Sequence, residues 1–141
     1  MPLLRTVFAS SLIAIGLAGG PACAGGATPE ERAAIETVIQ KQMDALAQDD
    51  AESAFGYASP NIRQMFGDAD RFMGMVKQSY PPVYRHRDAS FMDLKEGTTE
   101  VVAITGEDGR HWIAIYQMIK DEAGAWRING CQLIEDPDAH V

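Results

Sequence analysis

The chain predicts an α+β fold in which N-terminal helices pack on one face of an antiparallel β-sheet. Three features lead there. Apolar residues recur with the 3.6-residue period of a helix from Ile35 to Val76. Beyond Tyr80-Pro81-Pro82 the period becomes two, the repeat of a strand. Short turn sequences, Glu107-Asp108-Gly109 and Asp121 to Gly124, then join the strand segments as hairpins. Helices first and hairpin-linked strands afterwards is an α+β order.

The first 24 residues read as a cleavable signal peptide rather than as part of that fold. Arg5 supplies a positive charge, Val7 to Leu17 an apolar run, and Ala22-Cys23-Ala24 the small residues that a signal peptidase reads. The run is shorter than the roughly 20 residues that span a bilayer, which disfavours a retained anchor. Lipidation at Cys23 is disfavoured too, because Gly20 stands where an aliphatic residue is wanted. Cleavage after Ala24 leaves about 117 residues, enough for one core and not two. The expectation is an exported protein, periplasmic or secreted, with a single domain over 25–136 and a short tail over 137–141.

Each helix announces its start. Thr28-Pro29-Glu30-Glu31 combines a cap, a first-turn proline and a capping box, and Ile35, Val38, Ile39, Met43 and Leu46 then form one apolar face. This predicts a helix over 29–47. Asp49-Asp50 begins a shorter helix with Ala54, Phe55 and Ala58 inward. Ser59-Pro60 begins a third, with Ile62, Met65 and Phe66 apolar and Gly67 as the stop. Asp68 caps a fourth, carrying Phe72, Met73 and Val76, and Tyr80-Pro81-Pro82 ends it.

Strands are expected over 83–94, 100–105, 110–120 and 125–134. Alternation places Trp112, Ala114, Tyr116 and Met118 on one face of the third, and His111, Ile113, Ile115, Gln117 and Ile119 on the other. On the fourth it groups Trp126, Ile128, Gly130, Gln132 and Ile134 against Arg127, Asn129, Cys131 and Leu133. Gly130 inside a strand suggests a bulge. Both faces are largely apolar, so the sheet is expected to be covered on both sides. Helices take one side; a second copy of the chain or the curl of the sheet takes the other.

Charge and cysteine content narrow the partners. Twelve basic against 20 acidic residues give a net charge of −8, and loss of Arg5 with the leader takes this to −9. Nucleic acid and anionic lipid both call for a positive face, so neither is an expected partner. Removal of Cys23 leaves Cys131 alone in an apolar strand, where it reads as a small buried hydrophobe. No metal-ligand spacing, nucleotide loop or other cofactor motif is present.

Several strings together carry a resemblance: Phe55-Gly-Tyr-Ala-Ser-Pro-Asn-Ile-Arg63, Phe66-Gly67, Tyr80-Pro-Pro-Val-Tyr-Arg85 and Trp126-Arg-Ile-Asn-Gly130. They resemble an exported bacterial family known as domain of unknown function 4864, along nearly the whole chain after the leader. That family looks like part of the nuclear transport factor two-like (cystatin-like) superfamily. The resemblance implies a strongly curved sheet, a cone-shaped domain and a pocket opening between helices and sheet. It carries over no catalytic residue.

Candidate site residues follow from residue type. Tyr80, Tyr84, Trp112, Tyr116 and Trp126 are aromatics with polar tips, suited to holding a small amphipathic ligand; the structural alternative is core and rim packing. Arg85 and Arg87, within Tyr84-Arg85-His86-Arg87, form the one basic cluster and would bind a ligand carboxylate or phosphate; the alternative is a charged edge strand. Asp93 shares a strand face with Phe91. With His111 or Tyr116 in reach it would serve as a general base, although a position at a strand end facing water is the simpler account. These weigh toward a non-catalytic binding or interaction module, with a small isomerase, dehydratase or hydrolase using Asp93 as the alternative.

Overall fold

A computed structural model describes residues 26–92 and 96–138. The leader, Asp93 and the end of the tail lie outside the described residues. Five helices precede four strands: α1 (Pro29–Ala47), α2 (Ala51–Gly56), α3 (Pro60–Phe66), α4 (Ala69–Ser79), α5 (Pro81–Tyr84), then β1 (His86–Phe91), β2 (Thr99–Gly106), β3 (His111–Lys120) and β4 (Trp126–Glu135). The strands form one antiparallel sheet in the order β1-β2-β3-β4. This is the expected α+β arrangement.

Local chemistry sets the helix ends. The Glu31 N–H donates to Thr28 Oγ1 (3.2 Å) and the Thr28 N–H to Glu31 Oε2 (2.9 Å), closing the capping box of α1. The side chains of Asp50, Ser59 and Asp68 cap α2, α3 and α4 by accepting from the N–H of Ser53, Ile62 and Arg71. Gly67 ends α3 at φ +82°, a backbone that glycine adopts without steric cost.

Two strand expectations change. Val83 and Tyr84 belong to α5 and not to the first strand, which begins only at His86. Prolines favour the first turn of a helix as well as ending one, and Pro81-Pro82 does both here. The second change is in β4. Gln117 pairs with Gly130 but Met118 pairs with Ile128, which leaves Asn129 as the extra residue of a bulge. The bulge shifts the alternation by one. Trp126 and Ile128 face inward before it, and Cys131 and Leu133 pack on the core after it, while Gln132 and Ile134 are exposed.

The inner face of the sheet meets the helices. Ile35, Ile39, Met43 and Leu46 of α1 are sealed against Val102, Ile104, Ala114, Tyr116 and Met118. Each large aliphatic side chain so buried is worth about 1.5–3 kcal/mol. Just before the bulge, at Ile128, the 57–59 segment joins the edge of β4. The Ser59 N–H donates to Ile128 O (2.8 Å) and the Ile128 N–H to Tyr57 O (2.9 Å). This fixes the start of α3 over the inner face.

Candidate functional site

Four helices, α1, α3, α4 and α5, do not close completely on β3 and the bulged β4. Between them lies a cavity of about 260 Å³. Its floor is Tyr116, Ile128 and Cys131 of the sheet, and its helical walls include Leu46 of α1, Phe72 and Val76 of α4, and Val83 of α5. At one side stand Ile62, Met65 and Phe66 of α3, with Met75 of α4. Met65 is 72% exposed and α3 buries none of its residues, so α3 forms the outer rim.

The wall is neutral. No Asp, Glu, Lys, Arg or His lines the cavity among the described residues. Its three weakly acidic groups are held protonated by burial. Desolvation raises the Tyr80 hydroxyl above its usual pKa, lifts Tyr116 well above it, and pushes the Cys131 thiol up to about 12. Tyr80 Oη donates to Cys131 O at 2.8 Å. The Gln42 amide donates to Ala54 O at 3.1 Å, joining α1 to α2. Tyr116 differs from both. Its ring is 1% exposed and its hydroxyl lies beside the Cys131 thiol, a weak acceptor whose geometry falls short of a hydrogen bond.

Of the aromatics singled out in the sequence, Tyr80 and Tyr116 line this cavity and the other three do not. Tyr84 turns outward, where its hydroxyl donates to Asp49 Oδ1. Arg85 Nη2 also meets Asp49 (Oδ2, 2.9 Å), and Lys77 Nζ lies 3.5 Å from Oδ1. Asp49 holds a left-handed backbone (φ 57°), and the Tyr84 bond, followed by the two cations, keeps its pKa low. Arg85 is thus partnered within the chain. Arg87 occupies an irregularity in the β1–β2 pairing and reaches toward Gly109.

The tryptophans sit at opposite ends of the β3–β4 pair. Trp112 lies under the Arg110 guanidinium, itself bonded to Glu135, and Trp126 lies under Lys120, which pairs with Glu31. Trp112 and Arg85 do border a second pocket, of about 470 Å³, beside Pro81 and Arg110, and the acids Glu107 and Asp108 line it too. His111 is on the outer face, its Nδ1 3.3 Å from Thr105 Oγ1, away from inward Tyr116. Asp93 lies outside the described residues. No group of His, Cys, Asp and Glu among the described residues is arranged to hold a metal, and no described helix is long and apolar enough to cross a membrane.

One buried ionic feature escaped the sequence reading. Glu100 is 0% exposed on the inner face, and Arg32 of α1 reaches it at 3.5 Å. The same guanidinium donates to Thr99 O and Gly97 O, both at 2.7 Å, tying α1 to the start of β2. The available signal was parity: Glu100 shares its alternation with Val102 and Ile104. Gln42 gave a similar signal, lying one turn after Val38 on the apolar face of α1.

Comparison with known proteins agrees with the architecture's extent. Neither curated proteins nor solved structures gave a match. A family model described as Domain of unknown function (DUF4864) matches residues 28–141, beginning at the Thr28 cap of α1. With the match covering every helix and strand described, the chain belongs to the DUF4864 family.

Proposed function

We propose that this chain is exported through its first 24 residues and serves, in the periplasm or outside the cell, as a non-catalytic module that binds a small amphipathic ligand. The observation that carries the reading is the cavity between α3, α4 and the bulged strand, with neutral walls and a sealed tyrosine hydroxyl lacking a full hydrogen bond. Sites for small molecules are mostly apolar, with a few polar groups that fix orientation. The cone-shaped domain implied by the resemblance to the nuclear transport factor two-like superfamily fits the same reading, since such a cone opens between helices and sheet. The family match beginning at residue 28 supports the placement of the leader outside the domain.

The alternative of an isomerase, dehydratase or hydrolase draws no support from the described cavity wall, which holds neither a carboxylate nor an imidazole. Acid–base catalysis wants convergent groups that titrate near the working pH, and Tyr116 and Cys131 are driven the other way.

A second copy of the chain is the proposed cover for the outer face of the sheet. Val101, Ala103, Ile113, Ile115, Ile119 and Ile134 present an apolar surface there. The outward positions of β2, β3 and β4 carry no acidic residue, in a chain of net charge −8. Two acidic molecules meet at least cost where like charges are missing.

Native mass spectrometry of the protein purified from the exported fraction of its own cells tests the ligand. A small-molecule adduct that leaves on denaturation is expected. The bare polypeptide mass in every preparation contradicts the reading.

A further inference from the structure

The cavity's chemistry narrows the class of ligand, on the footing that the domain binds one at all. We propose that it takes an uncharged, mostly hydrocarbon molecule of about ten non-hydrogen atoms, carrying one oxygen acceptor that engages the Tyr116 hydroxyl. Size comes from volume. An apolar cavity of about 150 Å³ accommodates benzene, and 260 Å³ is in proportion to a molecule nearer ten atoms.

Neutrality comes from the walls. A carboxylate, phosphate or ammonium group drawn inside would leave water without a counter-charge, because the described lining offers none. The groups whose ionised forms would meet a cation, Tyr80, Tyr116 and Cys131, are each held protonated by burial.

The acceptor comes from Tyr116. A buried hydroxyl whose neighbour is only a weak acceptor recovers little of its desolvation cost. Its neighbour is the Cys131 thiol, a poor acceptor. A carbonyl or ether oxygen that takes the thiol's place supplies a stronger acceptor. Met65 and Met75 at the rim are soft and unbranched, and they adapt to a chain or a ring alike.

Four probes of matched size test this on the leader-free protein by calorimetric titration: octan-2-one, nonane, octanoate and octylammonium. Octan-2-one is expected to bind most tightly, with nonane next and both ions weaker than the ketone by about 30-fold or more. In Tyr116→Phe the ketone should lose about five- to tenfold in affinity, while nonane is unchanged and so reports an intact cavity. If octanoate or octylammonium binds as well as the ketone, the neutral-ligand inference fails but the binding-module reading stands. Equal losses for ketone and nonane in Tyr116→Phe remove the hydroxyl's role. If none of the four binds, the inference falls, and the native-mass experiment decides whether the wider reading falls with it.

Discussion

Tyr116 and Cys131 face each other across β3 and β4, and the fold keeps both protonated. That has a consequence for stability. An unfolded cysteine ionises near pH 8.5 and an unfolded tyrosine near pH 10, whereas the folded thiol holds its proton to about 12 and Tyr116 well past its usual value. Both folded values are raised, so their contribution is complete below about pH 8.5 and is lost as pH climbs toward 12. The urea midpoint should therefore fall between pH 8 and pH 10.5, and Cys131→Val should flatten the first part of that fall. An equal slope in both proteins contradicts the burial of the thiol. The same burial makes Cys131 a poor nucleophile, since the thiolate is the reactive form.

Among the elements, α3 depends most on a few polar contacts. Ser59 Oγ accepts from the Ile62 N–H (3.2 Å) and donates to Asn129 Oδ1 (2.8 Å), so one hydroxyl caps the helix and grips the bulge. No residue of α3 is fully buried, so its first turn depends on this hydroxyl together with the backbone pairing of Tyr57 and Ser59 to Ile128 and the partial packing of Ile62. Ser59→Ala should cost about 1–2 kcal/mol in chemical unfolding and should speed amide exchange in α3 more than in α1. Uniform acceleration across both helices would show that Ser59 is not a local anchor. The start of α1 was legible because Thr28, Pro29 and Glu31 each have one local role. α5 was not, because a proline pair ends one helix and begins another with the same chemistry. The bulge was signalled by Gly130, but which residue it would expel depends on the pairing with β3. A pocket between helices and sheet was implied by the resemblance alone, and the residue pattern did not show it for a different reason. Ile62, Phe66, Phe72 and Val76 have ordinary helical spacing, and periodicity reports which way a face turns without reporting whether the space before it is filled.

The molecule as a whole has two apolar faces on one sheet, and only one is covered by its own helices. The expected dimer through the outer face should sediment with twice the monomer mass at micromolar concentration. Ile115→Lys, which sets a charge at the centre of that face, should yield a monomer of unchanged helix content. A wild-type monomer at those concentrations removes the second copy from the account. The inner face is where function is assigned. Arg32 fixes α1 to β2 at one end and Ser59 fixes α3 to β4 at the other, and the space between remains unfilled by side chains.

A crystal structure of the protein taken from the exported fraction of its own cells tests that assignment most directly. The account predicts an ordered, uncharged molecule between α3, α4 and the sheet, with an oxygen within hydrogen-bond distance of Tyr116 Oη. Met65 and Phe66 folded down to fill the space, with the hydroxyl bonded to a protein group, would contradict it.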